Sequence, residues 1–132
     1  RRRTETTDTV ARRARVREVR AAVSIDELWD ATASALTRAG AVEASLELFT
    51  VDSTRWTLGS AAQRPRRSFA HRLSLVGGRH DYGRLSVVVP RDRDPERSFQ
   101  RELELHLIVE AAIDALDTMP LARRMVVTRL PG

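Results

Sequence analysis

The chain is predicted to be an α+β, two-layer sandwich: an antiparallel sheet of about four strands, covered on one face by helices from both chain ends. Three observations point there. Helical periodicity frames the sequence at both ends, strict apolar/polar alternation fills the middle, and the alternating segments are joined by short turn-forming stretches. Strands linked this way pair antiparallel, and strands with one apolar side each need covering on one face only.

Asp8 to Ala22 is expected to be the first helix, with Val10, Ala14, Val16, Val19 and Val23 as its thin apolar stripe and arginines elsewhere. Such a helix needs a docking partner. Ser24-Ile25-Asp26-Glu27 has the form of a capping box, in which the serine oxygen accepts from the N3 amide and the glutamate reaches back. Ile25, Leu28, Trp29, Thr32, Leu36 and Ala39 follow at helical spacing, and Gly40 occupies the left-handed position that ends a helix.

The period then changes to two. Leu46 and Leu48 mark a strand, Val51 to Thr54 a turn, and Arg55 to Leu58 a second strand with Trp56 and Leu58 on one side. Gly59 to Ser68 is a short polar connection. Phe69, His71, Leu73 and Leu75 alternate with Ala70, Arg72 and Ser74, and Gly77-Gly78 offer positive φ for a hairpin. The returning strand has Leu85, Val87 and Val89 inward and Arg84, Ser86 and Val88 outward. Asp94 suits an N-cap and Pro95 the first helical position of a last helix, Pro95 to about Thr118. Leu105, Ile108, Ala112, Leu116 and Met119 form its stripe, widened by Phe99, Leu103, Val109 and Ile113. Residues 1–9 are taken as a basic linker, 10–119 as the domain and 120–132 as a tail.

Composition bounds the chemistry. The chain has 132 residues, 42% apolar and 31% charged, which is a single folded domain. There is no cysteine, so neither a disulfide framework nor a thiolate site exists. The net charge is +5, and all 23 basic residues are arginine, as strong coding bias would produce. The chain starts RRRTETTDT, unlike a signal peptide, and without methionine, as expected of a piece of a longer protein.

No residue constellation announces a reaction. His71 and His106 are not at metal-ligand spacing, and no H-x-x-x-H occurs. No nucleophile elbow is present, and Gly77-Gly78 lie between two strands rather than before a helix, where a phosphate loop would sit. Catalytic residues, metal ligands and cofactor contacts are therefore all expected to be none. Trp29, Trp56 and His71 are the candidate lining of a ligand cleft. Arg12, Arg13, Arg15, Arg17 and Arg20 are the candidate contact to an anionic surface, where a membrane would contribute ~1 kcal/mol per basic residue. Nucleic acid is the weaker partner, because none of the six aromatics interleaves with these arginines.

SIDELWDATASALTRAG leads into a strand; FAHRLSLVGGRHDYGRLSVVVP, with its Gly83-Arg84-Leu85 entry, is followed by Phe99 and ELELHLIVEAAIDALDTM. This succession resembles a GAF domain, the small-molecule-sensing module of many bacterial regulators, over about Val10 to Met119. The family usually carries a long helical insertion that roofs its pocket, where this chain has only Gly59 to Ser68. The resemblance thus implies a trimmed GAF fold whose ligand pocket is in question. The arginine-rich lead helix, the S-x-D-E-L-W start and Arg55-Trp56 are also similar to a cytoplasmic C-terminal extension of some bacterial undecaprenyl-phosphate sugar-1-phosphate transferases. That similarity implies a host membrane domain outside this chain, possession of the catalytic groups by that host, and a location at the cytoplasmic face of the inner membrane. Together these expectations describe a non-catalytic regulatory or dimerisation module. A small-molecule-sensing domain and a basic nucleic-acid-binding domain are the alternatives. In GAF-like domains the first and last helices lie together, so Val10, Val16, Leu105, Val109, Leu116 and Met119 are the expected interface of a parallel homodimer.

Overall fold

The computed structural model describes residues 2–49, 55–59, 67–78 and 80–120. The expected turn at Val51 to Thr54, most of the Gly59 to Ser68 connection and the tail after Pro120 lie outside the described residues. The elements run α1 (Arg2–Arg20), α2 (Ile25–Arg38), β1 (Glu43–Leu48), β2 (Arg55–Leu58), β3 (Ser68–Val76), β4 (Asp81–Pro90) and α3 (Pro95–Thr118). The four strands form one antiparallel sheet in the order β2-β1-β4-β3. The α+β sandwich is as the alternation requires.

Local signals explain most boundaries. α1 begins at Arg2 rather than Asp8, because neither Gly nor Pro interrupts the stretch before Thr9. Residues 2–9 are thus helical rather than a linker. Ser24 caps α2: its Oγ accepts from the Glu27 amide at 3.2 Å. Glu27 reaches back one residue further than the box form implies, accepting from the Val23 amide at 3.0 Å. Gly40, at φ 100°, ends α2, with the Gly40 amide on the Thr37 carbonyl and the Ala41 amide on that of Leu36. Asp94 caps α3 by accepting from the Glu96 amide at 3.0 Å, with Pro95 opening the helix.

The hairpin between β3 and β4 differs from expectation. Neither Gly77 nor Gly78 has positive φ; that conformation falls to Gly83, at φ 144°. Gly77 is instead a close approach, since a Cβ there would collide with Asp117 and Tyr82.

Strand register builds the core. On the helix-facing side, Trp56, Leu46, Leu85 and Leu73 form one cross-strand row, and Leu58, Ala44, Val87 and His71 the next. Leu28 and Leu36 of α2 and Leu105, Ile108 and Leu116 of α3 are buried in the same core. Each such side chain contributes roughly 1.5–3 kcal/mol. α1 packs along α2 and α3 rather than on a strand, burying Val19; Ala22, just past its end, is buried too, whereas Val23, expected on the same stripe, lies beyond the helix and is exposed. Coverage fails along edge strand β3: Leu75 is fully buried and Phe69, on the same face, is exposed. Val88 faces the open side as expected, yet is buried there between its paired neighbours Glu43 and Ala70.

Candidate functional site

The proposed ligand-cleft residues do not converge. Trp56 lies on β2 and His71 on β3, at opposite edges of the sheet, about 14 Å apart across three strand spacings. Trp29 is half-buried on α2, and both tryptophans pack against the hydrophobic core. The alternation placed each residue on the right face; strand order, which alternation does not encode, separated them. A depression of about 430 Å³ lies instead between α1 and α2, rimmed by Glu18, Glu27, Asp30 and Ser34 and open to solvent. None of Trp29, Trp56 and His71 lines it.

The proposed dimer interface needs correction. Leu105, Val109, Leu116 and Met119 are buried in the chain's own core, and Val16 is half-buried against it. A helix stripe facing the sheet cannot also face a partner. Val10 alone of that set is exposed. The outward apolar side chains of α3 are Phe99 (61% exposed), Leu103 (48%) and Leu107 (48%). Phe99 and Leu103, expected to widen the core stripe, point away from it. Their i, i+4, i+8 spacing with Leu107 puts all three on one face, and that signal was present in the sequence.

The arginine cluster divides. Arg12 and Arg15 both meet Glu104, at 3.7 and 3.3 Å, and Arg12 also reaches Gln100. Glu104 is buried to 8% exposure, so these two arginines neutralise a carboxylate inside the helix seam. Arg20 pairs with Asp114 at 3.0 Å on the surface. Arg13 and Arg17 remain exposed, with no partner among the described residues. Three of the five candidate anion contacts are therefore engaged within the chain.

Two further polar junctions escaped the sequence reading. Arg101 donates to the carbonyls of Ala39 (3.1 Å) and Pro90 (2.9 Å) and lies 4.0 Å from Asp92, tying the ends of α2 and β4 to α3. The Tyr82 hydroxyl donates to Asp117. Burial, then the hydrogen bond, then the Asp117 charge push the Tyr82 hydroxyl well above the ordinary tyrosine range. Nothing local marks either residue; both act on elements distant in sequence.

Among the described residues no group of three His, Asp or Glu side chains is placed to hold a metal ion. His71 is half-buried on β3, and His106 is exposed on α3. No helix among the described residues is long and apolar enough to cross a membrane. What the fold and these groups define is an α+β domain whose charged side chains join its own elements. Comparison with protein-family models, with curated proteins and with solved structures returned no match.

Proposed function

We propose that the chain is a non-catalytic, GAF-like regulatory or dimerisation module of a larger bacterial protein. The observation that carries this reading is the packing between sheet and helices. Leu28, Leu36, Leu46, Leu85, Val87 and Ile108 fill the space between the sheet and the helices of both chain ends and are fully buried, which supports a structural use of that layer. The engagement of Arg12, Arg15 and Arg20 by α3 carboxylates also favours a structural use of the basic helix over phosphate tracking. The similarity to the extension of undecaprenyl-phosphate N-acetylglucosaminyl-1-phosphate transferases supplies a host class: a membrane enzyme of cell-envelope glycan synthesis displaying this module at its cytoplasmic face.

Native mass spectrometry of the protein purified from bacterial cells tests the reading. The expected species carry polypeptide mass alone. A stoichiometric small molecule, released on denaturation and restoring thermal stability when added back, would establish the sensing alternative instead.

A further inference from the structure

The two edges of the sheet are unlike. β2 is four residues long and offers a passing strand little to pair with, whereas β3 runs nine residues, with no strand beyond it among the described residues. The hydrogen-bond phase fixes what β3 shows along its outer side. The Arg91 amide donates to the Arg67 carbonyl, and the register continues from there through Phe69↔Val89, His71↔Val87 and Leu73↔Leu85. Antiparallel strands exchange bonds at every second pair, so the backbone of Phe69, His71 and Leu73 bonds to β4. The N–H and C=O groups of Ala70, Arg72 and Ser74 are left pointing outward. β3 carries no proline, lysine or carboxylate, and its irregularity comes only at Leu75/Val76, so the strand itself has none of the devices that usually blunt an edge.

The side chains beside this edge define what would pair there. On the helix-facing side Phe69 is exposed and His71 and Leu73 are half-buried, an apolar ledge that α3 covers incompletely. On the open face Arg72 is exposed; its neighbours Ala70, Ser74 and Ser86 are uncharged, and no carboxylate among the described residues pairs with it. Arg84 lies diagonally across from it on β4, and Arg91 lies over the Phe69 ring at 5.4 Å. From Arg67 to Arg91 the sequence has a single carboxylate, Asp81, at the far end of the hairpin, where it accepts from the Gly83 amide. We propose that β3 is a docking edge for an extended acidic peptide segment of a partner protein, which adds to the sheet as a further strand. The proposal rests on the sheet edge alone and goes beyond the module reading, which does not depend on it. Alternation sets one face of an added strand against the ledge and the other beside Arg72. Apolar side chains belong where the segment meets Phe69, His71 and Leu73, and a carboxylate belongs opposite Arg72, where cross-strand Cβ atoms are about 5 Å apart. A single-stranded nucleic acid would satisfy the arginines, but it has no amide ladder to meet alternating N–H and C=O groups, and β3 offers it one aromatic ring, Phe69.

Fluorescence anisotropy on the whole chain tests the edge, with a labelled short peptide of alternating valine and glutamate, blocked at both ends, as the probe. Saturable binding is expected, and the matching valine–lysine peptide should not bind. Arg72→Glu should weaken the acidic peptide about tenfold and admit the lysine peptide, because the cross-strand charges become like in the first case and opposite in the second. Ala70→Pro should abolish binding, since proline removes an outward N–H, while the ladder to β4 and the melting temperature stay nearly unchanged. N-methylation of alternate peptide amides separates a ladder from charge attraction: one set should abolish binding and the other leave it intact. No saturable binding of the acidic peptide, or equal binding of the lysine peptide to the parent chain, would overturn the proposal. Equal effects of the two methylated sets, or binding that survives Ala70→Pro in a folded variant, would overturn strand addition. Displacement of such binding by single-stranded oligothymidylate would assign the arginines to a nucleic-acid strand instead.

Discussion

The hydroxyl of Tyr82 donates to the carboxylate of Asp117, joining the start of β4 to the last turn of α3. Tyr82 is almost wholly buried, and Gly77 lies so close to the pair that only a hydrogen fits in place of its side chain.

Tyr82 is the only tyrosine in the chain, so absorbance at the tyrosinate band reports on it alone. Its folded pKa is raised, mainly by burial. The unfolded chain releases this proton near pH ~10, whereas the folded chain holds it. The neutral hydroxyl's contribution to stability is therefore complete below that pH and is lost as pH climbs from there toward the folded pKa. Tyrosinate should appear together with unfolding, and the alkaline decline in Tm should be shallower in Tyr82→Phe. Ionisation near pH ~10 with the circular dichroism of the native fold intact would contradict the burial of this group.

Glu104 and Asp114 give a graded comparison. Glu104→Gln leaves Arg15 without its counter-charge in a half-buried site, at a cost of about 1–3 kcal/mol. Asp114→Asn removes a pair whose members are both about half exposed, and should cost less than ~1 kcal/mol. Urea titrations of the two variants should keep that order, and high salt should narrow the difference between Asp114→Asn and the parent.

Leu36→Ala should cost about 2–5 kcal/mol, since Leu36 is completely buried between α2 and the sheet. A loss well below ~1 kcal/mol in chemical denaturation would mean that α2 presents another face.

Gly83→Ala combines a forbidden conformation with a collision. Gly83 sits at φ 144° opposite Leu48, and an added Cβ would strike the Glu47 carbonyl. The expected loss is more than ~2 kcal/mol, read as a lower Tm. Gly78→Ala, where nothing lies within 4 Å, should change stability by less than ~0.5 kcal/mol. Equal effects at the two sites would argue against the β1–β4 register.

Local physics made most of the secondary structure legible in the sequence. Ser24 with Glu27, Gly40, and Asp94 with Pro95 satisfy or end backbone hydrogen bonding within a few residues of themselves, so their positions mark helix ends. Alternation assigned Leu46, Leu85, Val87 and Leu75 to one sheet face because successive side chains in a strand point oppositely. Which strands become neighbours is decided by long-range pairing, and that separated Trp56 from His71. Burial of the helix stripes was decided the same way. α3 has apolar side chains around much of its circumference, so periodicity alone left open which of them face the sheet. Docking on β3 and β4 and against α1 and α2 enclosed Leu105, Val109, Leu116 and Met119, and left Phe99, Leu103 and Leu107 outside. The arginines followed the helices: only when α1 came to lie parallel to α3 did Arg12 and Arg15 meet Glu104, some ninety positions away. A charge in a sequence has no partner until the fold brings one within a few ångströms, and the sequence order of these groups carries no record of that distance.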